Sequence, residues 1–417
     1  MILVILFATT LLIPLVIRHL RKGEQLIGTW LTIFGVTHIL APALQYAYLD
    51  QLEITFLFGK QMPIGSEDYF DVVMPAFLIA VFAGIILCWV ERTYKPITSS
   101  IEVDHELSSS KYLTVLLALT ALGAIIPFVP LPLPSPFLWV MQHAYWAIPS
   151  FFYCTSQTKR ARILIIICTL YSSTSGMIQE GLLLSLTTLL LFDDITKKKF
   201  QVAAAIGLIG PAFIGILLLK SEYRSLGEKD FADSVSFYAS SLQYGASVLM
   251  EPQMLTEESF FEANRRLNQG WLVAHAIDHR MKHGTEQRHL FKAYASSILP
   301  RFLYPDKIDA GGSYNITRFT DVQLNDSTSM NIGVLGEHIV ASQGIVFYLT
   351  WSVFVCFLFL IFNRTTRIVK VSGFSPFLPL FLFYLLKSET DIASVFGHFV
   401  KNGIALWVFY RVFIFRR

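Results

Sequence analysis

Three cations and one acidic-basic pair mark a polar stretch in a chain that is otherwise mostly apolar. Arg266, Arg301 and Lys307 lie in that stretch, and Glu337 and His338 end it. A guanidinium group stays charged and can bind two phosphate oxygens at once, so these cations could hold a departing pyrophosphate. Glu337 or His338 could take a proton from an attacking hydroxyl. Together they could supply both halves of a glycosyl transfer, in which a sugar moves from a pyrophosphate to a hydroxyl group.

Five further side chains are candidates for lining the same cavity. Arg265, Gln269 and Arg280 belong to the helical pattern that carries the first of these arginines, and His398 and Lys401 stand three residues apart in the last apolar span. The plainer interpretation of the first group is an amphipathic helix that lies on the outer leaflet with a solvated basic face. For the second group it is an ion-paired loop between two spans.

The composition places these residues in a membrane protein. The chain has 54% hydrophobic and 15% charged residues, and a mean hydropathy of +0.54, which is too apolar for a soluble domain. Cys88, Cys154, Cys168 and Cys356 lie in or beside apolar spans, so no disulfide framework or cysteine metal site is predicted. We expect no metal and no cofactor. The sequence also contains no nucleic-acid signature and no Gly-rich phosphate loop.

The apolar segments predict an all-α polytopic integral membrane protein with about eleven transmembrane segments and one large, partly helical extracytoplasmic loop. We divide it into an N-terminal transmembrane bundle (1–219), the loop (220–339) and C-terminal transmembrane segments (340–417). Two short segments, 163–173 and 177–192, are expected to pair as a helical hairpin. The other spans are predicted near 1–17, 26–48, 72–90, 112–130, 137–154, 201–219, 340–362, 374–387 and 398–415.

Basic residues at every second junction give the orientation. Lys and Arg accumulate in loops that face the cytoplasm. The pattern therefore predicts an N-terminus outside, a C-terminus inside and the long loop on the outer face. The basic junctions contain Arg18, Arg21, Lys22, Arg92, Lys95, Lys111, Lys159, Arg160, Arg162, Lys197, Lys198, Lys199, Arg364, Arg367, Lys370, Arg411, Arg416 and Arg417.

Inside the long loop the pattern predicts two helices. Thr256 is a candidate N-cap, and an apolar stripe that includes Phe260 and Trp271 continues at helical spacing to Gly284. A second helix is expected from about Gln287 to Pro300. The loop is therefore predicted to be ordered.

The order of these parts resembles the bacterial O-antigen and exopolysaccharide repeat-unit polymerases of the Wzy type, which are similar in plan to O-antigen ligases. The resemblance rests on the short helix pair around Ser175 and Gly176, the outer loop with Arg266, and the segments 300–307 and 336–344. It covers nearly the whole chain, although each element is short.

This resemblance implies a metal-independent glycosyltransferase of the bacterial cytoplasmic membrane. It would join undecaprenyl-pyrophosphate-linked oligosaccharides on the outer face, with the bilayer and a chain-length regulator protein as further partners. Arg266 and Arg301, helped by Lys307, would bind the pyrophosphate, and Glu337 or His338 would be the base.

The sequence departs from the family pattern at two places. Gly176 is followed by Met177, where the family often has an Arg, which weakens a role for this turn. His338 is followed by Ile339, whereas the ligases usually have a His-Asn pair, and this difference favours a polymerase over a ligase.

Three alternative functions stay open. An O-antigen ligase would use the same lipid-linked donor. A different lipid-phosphate-sugar transferase could use carboxylates of the first outer loop, where Glu67, Asp68 and Asp71 are candidates, although a solvated acidic loop is the plainer interpretation. A transporter of lipid-linked glycans would need charged or kinked spans and often an internal repeat, and no convincing repeat is visible.

Overall fold

A computed structural model gives the structure of the chain, and over the residues it describes the fold is entirely helical. These residues are 22–47, 61–93, 110–126, 135–174, 178–192, 215–219, 223, 231–251, 256–299, 303–308, 313–320, 331–368, 375–409 and 411. The α-helices are α1 (Lys22–Gly35), α2 (Ala41–Ala47), α3 (Ser66–Thr93), α4 (Ser110–Ile125), α5 (Ser135–Gln142), α6 (Ala147–Cys154), α7 (Thr158–Thr174), α8 (Ile178–Phe192), α9 (Phe231–Met250), α10 (Glu257–Leu267), α11 (Gly270–His283), α12 (His289–Ile298), α13 (Ser313–Phe319), α14 (Gly333–Ala341), α15 (Gly344–Ile368), α16 (Leu378–Leu382) and α17 (Ile392–Phe409).

Three helical segments in the described part of the chain are long and apolar enough to cross a membrane. They are Gln25–Ala47, in which a π-helical turn (Val36–Leu40) joins α1 to α2, Ser66–Val90 in α3 and Gly344–Thr365 in α15. Large apolar side chains cover the outward faces of α3 and α15, and Val353 is 69% exposed. Faces of this kind are stable in lipid and unfavourable in water. The chain is therefore built as an α-helical membrane protein, as predicted.

Aromatic side chains hold the three spans together. Trp30 stacks on Phe34 with ring centroids 5.2 Å apart, and Phe34 lies 5.8 Å from Trp351. The Trp351 indole N–H donates to the Ala76 carbonyl at 2.8 Å, so this buried polar group has a partner. The contacts link α1, α3 and α15 into one core.

The predicted pair of short helices is confirmed as α7 and α8. Thr169 on α7 and Ser185 on α8 are hydrogen bonded through their hydroxyls at 2.5 Å. A Cβ added at Gly181 would lie only 3.0 Å from the Cβ of Ser172, so this glycine permits the close approach. The turn with Ser175 and Gly176 lies outside the described residues.

Several predicted spans need new boundaries. The segment predicted at 340–362 is divided by Gly344, whose φ of +55° separates α14 from α15. The segment predicted at 374–387 consists of three short pieces: the 3-10 turns Ser375–Phe377 and Phe383–Leu386 with α16 between them. The span at 1–17 and most of 201–219 lie outside the described residues. The total of eleven segments and their orientation therefore stay predictions.

The helix predicted after Thr256 begins as predicted, but the expected single helix up to Gly284 is wrong. The Thr256 hydroxyl accepts a hydrogen bond from the Ser259 N–H at 3.1 Å and caps α10. The helix then ends at Asn268, whose Oδ1 accepts from the Trp271 N–H at 3.0 Å and so begins α11. An asparagine that satisfies a first-turn N–H favours a new helix start over continuation.

The buried face of α10 also differs from the predicted apolar stripe. Phe261 and Asn264 are buried, whereas Phe260 is half-buried. Asn264 donates to the Ala41 carbonyl and to Gln45 Oε1, each at 3.2 Å. Polar contacts with the membrane helix α2 therefore turn α10 relative to the face that hydropathy alone predicts.

Gly270→Ala is expected to destabilise the junction between α11 and the membrane helices. A Cβ at Gly270 would come within 2.1 Å of Pro42 and 2.2 Å of the Tyr69 hydroxyl. Such overpacking typically costs about 1–3 kcal/mol because the neighbouring side chains must shift. Thermal unfolding of the purified protein should show a lower midpoint, whereas alanine at the open position Gly284 is expected to have a smaller effect through its positive φ. An unchanged midpoint for Gly270→Ala would contradict this packing.

Candidate active site: a cationic cleft above a buried carboxylate

Glu337 is fully buried and is held from three helices. Its Oε1 lies 3.1 Å from His289 Nε2 on α12 and accepts from Asn315 Nδ2 on α13 at 2.9 Å. Its Oε2 accepts from the backbone N–H of Ile392, the first residue of α17, at 2.5 Å. A buried carboxylate is stable only when polar partners replace water, and here both oxygens have partners.

The local structure of α14 and α17 explains the position of the Glu337 carboxylate. Gly333 starts α14 with a φ of +74°, and every residue of this helix is buried. The first N–H groups of α17 lack helical partners, and Glu337 and Asp391 satisfy two of them, on Ile392 and Ser394. Burial raises the pKa of Asp391, and the nearby Glu337 carboxylate raises it further. The start of α17 is therefore fixed by two acidic side chains.

A cleft of about 450 Å³ opens beside this carboxylate. It is bounded by the turn between α11 and α12, by the first part of α12 and by α13. Its lining contains three permanent cations and one carboxylate, so it favours an anionic ligand. The lining residues are Thr285, Glu286, Gln287, Arg288, His289, Lys292, Tyr314 and Arg318.

One ion pair joins two of the charged residues that line the cleft. The Arg318 guanidinium donates to Glu286 through Nε at 3.1 Å and through Nη2 at 2.5 Å, and these hydrogen bonds raise its pKa. The two residues are 41% and 29% exposed, so water still reaches the pair. An anion that enters the cleft can compete with Glu286 for the guanidinium.

His289 connects the cleft to the buried carboxylate. It lines the cleft and its side chain is only 2% exposed. Phe319 packs edge to face against its ring, with centroids 4.8 Å apart. The structure therefore places one imidazole between the charged cleft and Glu337.

His338 faces another part of the protein. Its ring packs against Trp351 and Phe354, with centroids 5.4 and 5.3 Å away, and its Nδ1 lies 2.8 Å from the Val334 carbonyl oxygen. Neither Glu337 nor His338 is among the residues that line the described cleft. The predicted pair is adjacent in sequence but divided between two environments.

Acidification is expected to destabilise the protein through His338. Burial lowers its pKa to about 4, despite the opposing hydrogen bond to Val334. The unfolded chain binds this proton below about pH 6.5, so stability falls between about pH 6.5 and 4, by about 3 kcal/mol in total. Unfolding midpoints measured across this range should drop, and they should drop less steeply in His338→Gln. Equal slopes in the two proteins would contradict the assignment.

The predicted pyrophosphate ligands lie apart from this cleft or outside the described residues. Arg266 is half-buried near the end of α10, beside Arg265, which pairs with Glu262 at 2.7 Å. Lys307 donates to the Leu299 carbonyl at 2.8 Å and thereby caps the C-terminus of α12. Arg301 lies outside the described residues.

The remaining predicted lining residues occupy two other places. Gln269 precedes α11 as its N-cap residue, without a side-chain capping bond, and Arg280 Nη1 donates to the Ser342 carbonyl at 3.4 Å. Burial lowers the pKa of Arg280. His398 and Lys401 lie on α17 and are half-buried.

Charged residues around α17 form a second polar cluster. The Lys387 ammonium lies 3.3 Å from Glu180 Oε1, and His143 Nε2 lies 3.9 Å from Glu180 Oε2. The His398 ring stacks on Tyr384 with centroids 3.7 Å apart. Lys387 is therefore paired with a carboxylate of α8.

Sequence reasoning missed His289, Asn315 and the cleft cations Arg288, Lys292 and Arg318. The predicted helix from about Gln287 already contained three of them, but helical spacing alone does not show which face is exposed. The contact of Asn315 with Glu337 joins residues 22 apart through a tertiary fold, and no local pattern signals it.

The acidic residues of the alternative transferase site lie at the start of α3. Glu67 and Asp68 occupy its first turn, and Asp71 follows one turn later; all three are exposed. Carboxylates in this position interact favourably with the helix dipole. Such an interaction would account for Glu67 and Asp68 without a catalytic role.

Comparison with known proteins identifies no relative. No protein-family model, no curated protein and no solved structure matches the chain.

Proposed function

We propose that the protein is a membrane glycosyltransferase that polymerises undecaprenyl-pyrophosphate-linked repeat units into a surface polysaccharide. Donor and acceptor are both lipid-linked oligosaccharides, and a chain-length regulator is a further proposed partner. We place it in the bacterial cytoplasmic membrane, which it would cross eleven times, with the N-terminus outside and the C-terminus inside. The cleft then opens on the outer face.

The observation that carries the proposal is the cationic cleft set beside a buried carboxylate. Arg288, Lys292 and Arg318 outnumber the single carboxylate of Glu286 in the lining. A pyrophosphate leaving group develops negative charge as the sugar departs, and fixed cations in a partly dehydrated site stabilise that charge. Arg266, Arg301 and Lys307 stay candidates for additional contacts with the donor.

An exposed apolar side chain next to these cations fits a lipid-linked substrate. Phe291 is 73% exposed and lies on α12 between Arg288 and Lys292. Ile298, two turns further along the same helix, is 58% exposed. A polyprenyl chain could lie against this face while its pyrophosphate enters the cleft.

The transfer requires the two substrates to meet in one site. The donor sugar carries the pyrophosphate at its anomeric carbon, and a hydroxyl of the acceptor glycan attacks that carbon. The cleft cations take up the charge of the departing undecaprenyl pyrophosphate. In this mechanism the protein supplies orientation and electrostatic stabilisation.

The test is polymerisation by the purified protein in lipid nanodiscs. The substrate would be lipid-linked oligosaccharide extracted from source cells that lack this protein, supplied with and without a chelator. A ladder of glycans that grows in both conditions is expected. Strict metal dependence would instead favour a transferase that uses the acidic residues of α3. Substrate that crosses the bilayer unchanged would favour a transporter, and transfer only to an acceptor without a lipid pyrophosphate would favour a ligase.

A further inference from the structure

His289 combines access to the cleft with a fixed partner behind it. One ring nitrogen, Nε2, lies 3.1 Å from Glu337, and the ring is packed against Phe319. When a carboxylate holds one imidazole nitrogen in its protonated form, the other nitrogen is the basic one. The same division of roles orients the histidine in enzymes that use an acid-histidine pair.

We propose that His289 is the proton acceptor of the transfer reaction and that Glu337 is its positioning residue. This inference rests on the proposed function and assigns a role within it. It assigns the role of base to a side chain of α12, in place of Glu337 or His338 of α14.

The proposed step forms one bond to the anomeric carbon and breaks another. The acceptor hydroxyl oxygen forms a bond to the anomeric carbon of the donor sugar, and its proton passes to Nδ1 of His289. The bond between the anomeric carbon and the phosphate oxygen breaks, and its electron pair leaves with the pyrophosphate. The Glu337 carboxylate stabilises the imidazolium that forms, and the proton then passes to water.

Glu337 is suited to positioning and not to direct proton transfer. It is fully buried, and its two oxygens are held by Asn315, Ile392 and His289. An acceptor hydroxyl would have to displace one of these partners to reach it. Acting through His289, which lines the cleft, leaves these three contacts of Glu337 in place.

Several ionisable groups surround the pair. Glu286, Arg288, Lys292, Tyr314 and Arg318 share the cleft with His289. On the buried side, His338, Asp391 and Tyr294 interact electrostatically with His289 or Glu337. The pH profile must therefore be compared between variants that change only one member of the pair.

The experiment measures polymerisation rates of purified variants in nanodiscs against donor concentration and pH. His289→Ala is expected to lower kcat by at least about 100-fold with little change in KM, and added imidazole should restore part of the rate. In Glu337→Gln the acidic limb of the kcat profile should move to lower pH, because loss of the carboxylate destabilises the imidazolium. His283→Ala, an exposed histidine on α11, serves as the control.

Wild-type kcat in His289→Ala would overturn the inference while polymerisation by the native protein still supports the proposed function. Loss of activity without imidazole rescue, together with an unmoved pH limb in Glu337→Gln, would also overturn it. If His289→Ala does not fold, Glu337→Gln alone decides through the position of that limb. A native protein that does not polymerise the extracted substrate would overturn both proposals.

Discussion

Glu337→Ala is expected to stop chain extension and to lower the free energy of unfolding by about 2–6 kcal/mol, because two buried donors lose their acceptor at a cost of about 1–3 kcal/mol each. The change leaves the Ile392 N–H and Asn315 Nδ2 buried without their acceptor. It also releases His289 from the carboxylate that its Nε2 contacts. Three helices, α12, α13 and α17, lose their common attachment to α14.

The matched control for this change is Glu262→Ala. Glu262 forms a shorter ion pair, 2.7 Å from Arg265, but both side chains reach solvent. Exposed pairs contribute only about 0.2–1 kcal/mol, so this variant should stay close to wild type. Reversible unfolding in detergent, followed by tryptophan fluorescence, compares the two variants. Similar small losses in both would show that the Glu337 network does not anchor the fold.

Some features of the loop helices follow from the local sequence, and others depend on contacts between distant residues. The Thr256 cap was predicted because capping depends on residues within one turn. The buried face of α10 was missed because α10 is oriented by contacts of Asn264 with α2, 219 and 223 residues earlier. Local rules thus located the helix start, whereas tertiary contacts fixed its buried face.

Glu337 and His338 illustrate a related limit. The sequence indicated that a Glu-His pair after the loop could be important, and Glu337 does lie at the centre of a polar network. Adjacent helical residues, however, point about 100° apart, so they rarely act on the same group. The imidazole beside Glu337 comes instead from His289, 48 residues earlier. Sequence adjacency therefore does not identify the imidazole that contacts the carboxylate.

The role of each cation near the cleft was also not predictable from the sequence. Arg318 reaches the cleft through its ion pair with Glu286, which is 32 residues away. Lys307 looked equivalent in sequence, but its ammonium caps the end of α12. Charge type alone therefore does not show whether a cation faces the cleft or caps a helix.

The second large effect is expected at Arg318. Arg318→Ala should raise KM for the lipid-linked donor by about 10- to 100-fold, since a hydrogen bond to a charged group contributes about 1.5–3 kcal/mol. The change removes the proposed phosphate ligand and also leaves the Glu286 carboxylate in the cleft without this cation. Both consequences disfavour an anionic substrate.

Glu286→Gln should have the opposite effect on donor binding. It releases Arg318 from its ion pair while the guanidinium stays in the cleft, so KM is expected to fall. Lys282→Ala removes one positive charge from the neighbouring helix α11, where Lys282 pairs with Asp278, and should leave KM near the wild-type value. Inhibition by inorganic pyrophosphate provides a second measurement, and it should weaken in Arg318→Ala and strengthen in Glu286→Gln. If Arg318→Ala and Glu286→Gln shift KM in the same direction, and by a factor similar to that of Lys282→Ala, the cleft does not bind the donor phosphate. Only a specific phosphate site would make Arg318→Ala and Glu286→Gln shift KM in opposite directions.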